Sequence, residues 1–465
     1  MGAAAMLVAV TTCMSAQETA HHFIPFDNFV SNTRSAEAGT MLALPGNKAA
    51  STANVEEMRQ HILGLYDGVK VSHSFLLDGD HFDCVPTEQQ PSIRGLGLKS
   101  IASAPKDELK KPEGAGKSAP KANAITSQLA ADQKFDEFGN SRVCEANTIP
   151  MRRVTLEEVS RFKTLKNYLE KGPNGTGQAP LPQDHASLKQ SSVTPESGAS
   201  IGKASWVPPS PVAHKYSFTY QYVNNLGQTD TLSLWDPYVY TSYGEIFSLA
   251  QSWTIGYSPV TQTAEVGWQN YPALYGGQNS RLFIYWTADG YQHTGCYNLS
   301  CAGFVQTNGS WYLGAGFSNY STRGGAQYEF RAQYYFYQGN WWLGLGNANS
   351  ITWIGYYPGT IYGSGPMRTH SQLLEFGSES VGSNPWPAEG SGDFASAGWD
   401  YAGYQRELYH WANPSDAAYW DTLTADQPSP NCYSIAGPYF GGYNPPSNDW
   451  GIYFYYGGPG GYNCQ

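Results

Sequence analysis

The rhythm of apolar positions changes along the chain. Val55, Met58 and Ile62 recur at helical spacing behind Ser51-Thr52 and predict a helix. Thr155 stands three residues before Glu158, the pattern of a capped helix start. Leu156, Val159, Phe162, Leu165 and Leu169 then share one apolar face, so one amphipathic helix is expected there, stopped by Gly172-Pro173. Between the two helices, Val69 to Val85 contains a short strand, and residues 102–122, rich in Lys, Pro and Ala, read as a loose basic loop. From Tyr216 the period drops to two. Tyr216–Val223, Thr231–Trp235, Arg281–Trp286, Tyr328–Tyr335 and Gly451–Tyr456 alternate as strands, separated by Gly, Asn and Pro. No long helical pattern interrupts them and no internal repeat appears. The expected fold is therefore an all-β, two-sheet antiparallel β-sandwich preceded by a small α+β unit.

Composition sharpens the boundary. From Ser205 on there are 16 Asp/Glu and 6 Lys/Arg, leaving 38 − 16 = 22 acids and 27 − 6 = 21 bases for residues 1–204. A shift from charge-rich to charge-poor marks a domain boundary. Residues 173–211 hold seven prolines among Gly, Ser and Gln, an extended linker open to proteolysis. The chain of 465 residues has 14% aromatic residues, too many for disorder and suited to strands. A net charge of −11 argues against a nucleic-acid partner. No apolar run reaches the roughly 20 residues that span a bilayer. The first 17 residues, small and apolar, resemble a signal peptide without its basic start, which points to a secreted (extracellular or periplasmic) protein. Six of the seven cysteines lie beyond that segment. An even number in a secreted chain suggests disulfides, and proximity along the chain pairs Cys84 with Cys144, Cys296 with Cys301 and Cys432 with Cys464.

Several familiar chemistries fail. There is no H-E-x-x-H and no His/Cys zinc cluster, and no metal or cofactor is expected. Gly198-Ala-Ser-Ile-Gly202 matches a nucleophile-elbow pattern but lies in the linker with no strand before it. Carboxylates remain. Glu265, in Thr263–Gln269, and Glu379, in Leu373–Glu379, interrupt apolar-aromatic strands, where a carboxylate is costly to bury. Such a residue can simply face solvent. If both instead face one cleft, repulsion splits their titration, so that one activates water and the other protonates a leaving amine. Glu375 competes with Glu379, being four residues earlier on the same face. The same pattern also fits a carbohydrate-active or carbohydrate-binding β-sandwich, with paired carboxylates and aromatic platforms.

Longer stretches put the peptidase ahead of the carbohydrate-directed alternative. Thr263-Ala-Glu-Val-Gly-Trp-Gln269, Pro272-Ala-Leu-Tyr-Gly276, Arg281 to Gln292 and Thr294 to Asn308 together resemble the neprosin family. Glu245 to Trp253, Trp341-Trp-Leu343, Gly355-Tyr-Tyr-Pro358 and Phe376-Gly-Ser-Glu379 fit as well. Phe82-Asp-Cys-Val85 and Cys144 to Arg153 resemble the family's activation peptide. The resemblance implies a secreted, acid-active glutamic endopeptidase made as a zymogen and cutting after Pro. Its substrates would be proteins or peptides containing Pro, and its own propeptide its inhibitor. It places the catalytic pair on Glu265 and Glu379, the second where the family's Gly-Gly-Glu reads Gly377-Ser-Glu379. Gln269, Tyr291 and Trp268 become candidates for oxyanion or substrate contacts. The implied organisation is a signal peptide (1–17), a propeptide (18–172), a linker with the cleavage site (173–211; Pro208, Pro209 and Pro211 as candidates) and a catalytic domain (212–465).

Overall fold

A computed structural model describes residues 22–113, 115, 122–129, 132–172, 213–347, 349–412, 418–441, 450–462 and 464. The expected signal peptide, the linker with its candidate cleavage prolines, and Gly198–Gly202 lie outside these residues.

The N-terminal part builds helices α1 (Phe26–Ser35), α2 (Ala38–Leu42) and α3 (Thr52–Leu65), strands β1 (Ser74–Leu77) and β2 (Asp80–Pro86), helix α4 (Pro91–Gly95), strands β3 (Asn123–Ala124) and β4 (Thr148–Arg152), and helices α5 (Leu156–Val159) and α6 (Leu165–Leu169). The Ser51 hydroxyl accepts the Asn54 N–H at the start of α3, and Val55, Met58 and Ile62 are buried as their spacing requires. Strands β1, β2 and β4 form an antiparallel sheet. The helix expected from Leu156 to Leu169 is instead two short ones. Thr155 caps the first as expected, but the Ser160 and Lys163 carbonyls accept from Lys48 and Ala50. Those carbonyls are thus lost to a continuing helix, and the Thr164 hydroxyl restarts it by accepting from Asn167 N–H. Glu158 does not return to the cap. It takes Arg152 at 2.8 Å.

The C-terminal part is a sandwich of strands β5 (Ala213–Asn225), β6 (Gly227–Ser233), β7 (Glu245–Gly256), β8 (Gln262–Asn270), β9 (Arg281–Thr287), β10 (Val305–Gln306), β11 (Tyr328–Tyr337), β12 (Asn340–Asn347), β13 (Ser350–Pro358), β14 (Ser371–Gly382), β15 (Gly403–Trp411), β16 (Ala418–Trp420), β17 (Thr424–Asp426), β18 (Ser434–Phe440) and β19 (Ile452–Gly457), with one short helix, α7 (Pro272–Tyr275). One sheet runs β17-β5-β14-β7-β8-β9. The other runs β10-β13-β12-β11-β6-β15-β19-β18, with β16 paired to β15 and β3 to β11. Within the C-terminal part every paired strand is antiparallel, as expected. The sheets pack face to face. The Trp268 indole donates to the Ser233 carbonyl at 2.9 Å, and the Tyr334 hydroxyl to the Glu265 carbonyl at 3.1 Å. The three expected cysteine pairs are disulfides.

The N-terminal part is bound closely to the sandwich and shares its core. Asp80 pairs with Arg152 at 3.0 Å and with Arg281 of β9. The Gln90 amide mimics a strand edge: its Nε2 donates to the Gln306 carbonyl and its Oε1 accepts the Gln306 N–H, both at 2.8 Å. Strand β3 lies parallel to β11. The stretch expected to be a loose loop is therefore engaged with the sandwich at its described ends.

Candidate active site

The site follows from strand register. Paired residues on neighbouring strands point to the same face. In one row across β14, β7 and β8 stand Glu375, Trp253 and Glu265. Four residues along stand Glu379, Leu249 and Gln269. The row between them is Gly377, Gln251 and Gly267. Two glycines therefore flank Gln251, and no other side chain on these three strands stands between the rows of the two carboxylates. This is the outer face of the six-stranded sheet, and Leu169, at the end of α6, and Lys171 lie over it.

Lys171 descends onto this floor. Its Nζ lies 2.5 Å from Glu265 Oε2 and 2.8 Å from Glu379 Oε2, with all three side chains fully buried. It also lies 5.3 Å from the centre of the Trp253 ring. Burial opposes the ammonium, but the Glu265 and Glu379 charges outweigh it and hold the Lys171 pKa above its ordinary value. Just before it, the Leu169 carbonyl accepts from the Tyr285 hydroxyl at 3.3 Å.

Each carboxylate has its own donors. Glu265 Oε1 accepts from the Tyr291 hydroxyl at 2.6 Å and the Thr263 hydroxyl at 2.7 Å. Burial, then the Glu265 charge, pushes the Tyr291 phenol well above its usual range, so it remains a donor. Glu379 Oε1 faces His214 Nδ1 at 2.6 Å, and its Oε2 accepts from Gln251 Nε2 at 3.2 Å. Burial pushes the Glu379 carboxyl up, but Lys171 and His214 overcome it and leave it below the usual range. Glu375 contrasts with both. It is fully buried, neither carboxylate oxygen has a hydrogen-bond partner among the described residues, and burial followed by the Glu265 charge pushes it well above the ordinary value.

The other candidates divide. Tyr291 reaches Glu265. Gln269 shares the face but donates to the Tyr297 hydroxyl at 3.2 Å. Trp268 lies on the opposite face, between the sheets, and is fully buried. Sequence reasoning missed Lys171, Gln251, Thr263 and a role for His214. A pattern did exist for the floor, since Glu265-Val-Gly267 mirrors Gly377-Ser-Glu379. Nothing in sequence could have found Lys171, whose role depends on how the N-terminal part docks. Among the described residues one trio has metal-ligand proximity, His73, Cys84 and Glu145. The Cys84 sulfur is in a disulfide, so no thiolate is available there.

Fold and site define a β-sandwich with paired acidic side chains on an open sheet face, closed by a lysine from the preceding segment. The Neprosin family model matches residues 244–459, most of the C-terminal sandwich. Similar solved structures include scytalido-glutamic peptidase with a peptide-based transition-state analog, at 9% identity, a TM-score of 0.31 and coverage of 54% of this chain and 99% of that chain. The same peptidase with a transition-state analog inhibitor gives 10%, 0.30, 54% and 99%. At this level of likeness no residue's role follows from them.

Proposed function

We propose that the chain is a glutamic endopeptidase made as a secreted zymogen, with Glu265 and Glu379 as its catalytic pair and residues 18–172, which supply Lys171, as its inhibitory propeptide. One observation carries this reading: two fully buried glutamates from different strands converge on a single cation supplied by the segment before the linker. The ammonium stands where both carboxylates could hold one water. With Lys171 withdrawn, His214 and Gln251 still favour an ionised Glu379, which takes a proton from the attacking water as oxygen bonds to the peptide carbonyl carbon. Glu265 gives its proton to the amide nitrogen as the C–N bond breaks. We assign the developing oxyanion to the Gln251 amide, rather than to Gln269, whose amide donates to Tyr297. Cleavage after Pro is the specificity we assign, and the proline-dense linker offers such bonds to the enzyme itself.

Acidification of the full chain tests this. The expected result is a fragment beginning near residues 209–212, released by the parent and not by Glu265→Gln or Glu379→Gln. Processing by both variants at the parent's rate would overturn it.

A further inference from the structure

The propeptide covers a second surface, far from the glutamates in the fold. On the outer face of the larger sheet, Tyr335, Trp342 and Tyr356 stand in one row across β11, β12 and β13, with Tyr409 and Trp411 on β15. Their chain neighbours Trp341, Leu343 and Tyr357 turn the other way, into the inter-sheet core. Residues 98–113, in neither helix nor strand, lie over this face. Leu98, Ile101, Ala102 and Ala104 pack against Val305, Trp342 and Tyr356. Leu109 packs against Tyr335, Tyr409 and Trp411.

The polar contacts have one thing in common. The Ala102 N–H donates to the Tyr356 hydroxyl at 3.1 Å, the Trp411 indole to the Lys110 carbonyl at 2.9 Å and the Trp420 indole to the Glu113 carbonyl at 3.0 Å. All three engage the backbone of the covering segment, so they do not depend on its side chains. What is buried is also selective. Pro105 and Pro112 are buried, whereas Lys106, Asp107, Glu108, Lys110 and Lys111 are exposed. Docking of a Pro-containing segment in an aromatic-lined groove is a recurrent mode of peptide recognition, because the segment has little backbone freedom to lose, and both buried prolines belong to the segment that covers this aromatic face. No described disulfide joins the propeptide to the sandwich: Cys84–Cys144 closes within the first, and the other two within the second. One cut in the linker therefore leaves only non-covalent contacts to hold the segment, and its departure bares a large aromatic face of the kind monomeric proteins rarely expose.

We propose that this face is an exosite of the processed enzyme for a proline-containing, irregular stretch of a polypeptide substrate. This rests on the peptidase reading. Because the propeptide occupies both faces with one chain, a long denatured substrate can do the same, and a short peptide cannot.

The test uses the acid-processed full chain and a synthetic peptide with the sequence of residues 98–113. The peptide should compete with digestion of a denatured proline-rich protein and leave hydrolysis of a short proline peptide unchanged. Trp411→Phe and Trp420→Phe keep the ring and remove the indole donor. Each should raise KM for the denatured protein about fivefold, the worth of one hydrogen bond, with kcat/KM for the short peptide unchanged. Equal inhibition of both substrates, inhibition of neither, or an unchanged KM in both variants would overturn the exosite. If no substrate is cleaved the peptidase reading fails; the linker is then cut by an unrelated protease and the released propeptide removed, and tryptophan fluorescence decides the exosite alone: saturable binding of the peptide supports it, and no binding overturns it.

Discussion

Replacing Lys171 by Met removes the cation and keeps the volume. Taking one partner from a buried ion pair costs about 3–5 kcal/mol, because the other charge is left uncompensated. Here Glu265 and Glu379 can then share a proton, so the lower end of that range applies. In the proposed zymogen the cost falls on the propeptide-bound state. The direction in pH follows from Glu379. Its carboxyl is held below the ordinary range in the bound state, so its contribution is present above the ordinary Glu value and is lost as pH falls through the bound-state value. Without Lys171 the same carboxyl is buried beside Glu265 with less to hold its charge, and takes up its proton at higher pH. One pH unit is worth about 1.4 kcal/mol per proton, so a loss of about 3 kcal/mol moves the onset of processing upward by about two pH units. Gel time courses between pH 3 and 7 measure this, with melting curves to verify folding. Coincident pH profiles for Lys171→Met and the parent would refute the latch.

Three further outcomes follow from the sandwich. Burial pushes the Glu389 carboxyl up to about 8, against hydroxyl donors from Ser378 and Ser217. A raised carboxyl stabilises fully below the unfolded value near 4 and loses that contribution as pH rises towards 8; melts at pH 4, 6 and 8 should therefore fall less steeply for Glu389→Gln than for the parent. A Cβ on Gly377 would stand 2.4 Å from the Ser217 carbonyl oxygen and 2.5 Å from Phe218 Cα, and backbone cannot easily yield. Gly377→Ala should cost about 1–3 kcal/mol in denaturant titration and lower kcat by displacing Glu379. Converting both Cys432 and Cys464 to Ser opens a loop spanning 32 residues and should lower stability by about 3–4 kcal/mol, read as a lower denaturant midpoint.

Period-two patterning made the sandwich legible, because β5, β9, β11 and β19 alternate between core and outer face. Proximity of the cysteines along the chain sufficed for three local disulfides. Both glutamates stood out as charges inside apolar strands, and register then places them over one glycine-flanked row. The helix after Thr155 was misread for a local reason: its apolar face is continuous, but the Ser160 and Lys163 carbonyls are claimed by Lys48 and Ala50, which no periodicity records. Trp268 was a candidate by adjacency to Glu265, yet neighbours three apart on a strand face opposite sides. Lys171 was invisible because its significance arises from docking across the sandwich, as does the seating of residues 98–113.

The most direct measurement separates catalysis from activation. The linker is cut in trans by an unrelated protease, the released propeptide is removed at acid pH, and hydrolysis of a short proline peptide is followed by mass spectrometry for the parent, Glu265→Gln and Glu379→Gln. The account predicts cleavage after Pro by the parent and a loss of at least about a hundredfold in each variant, the scale of a general acid or base. Parent-like hydrolysis by either variant, or loss on Glu375→Gln with Glu379→Gln unaffected, would contradict it.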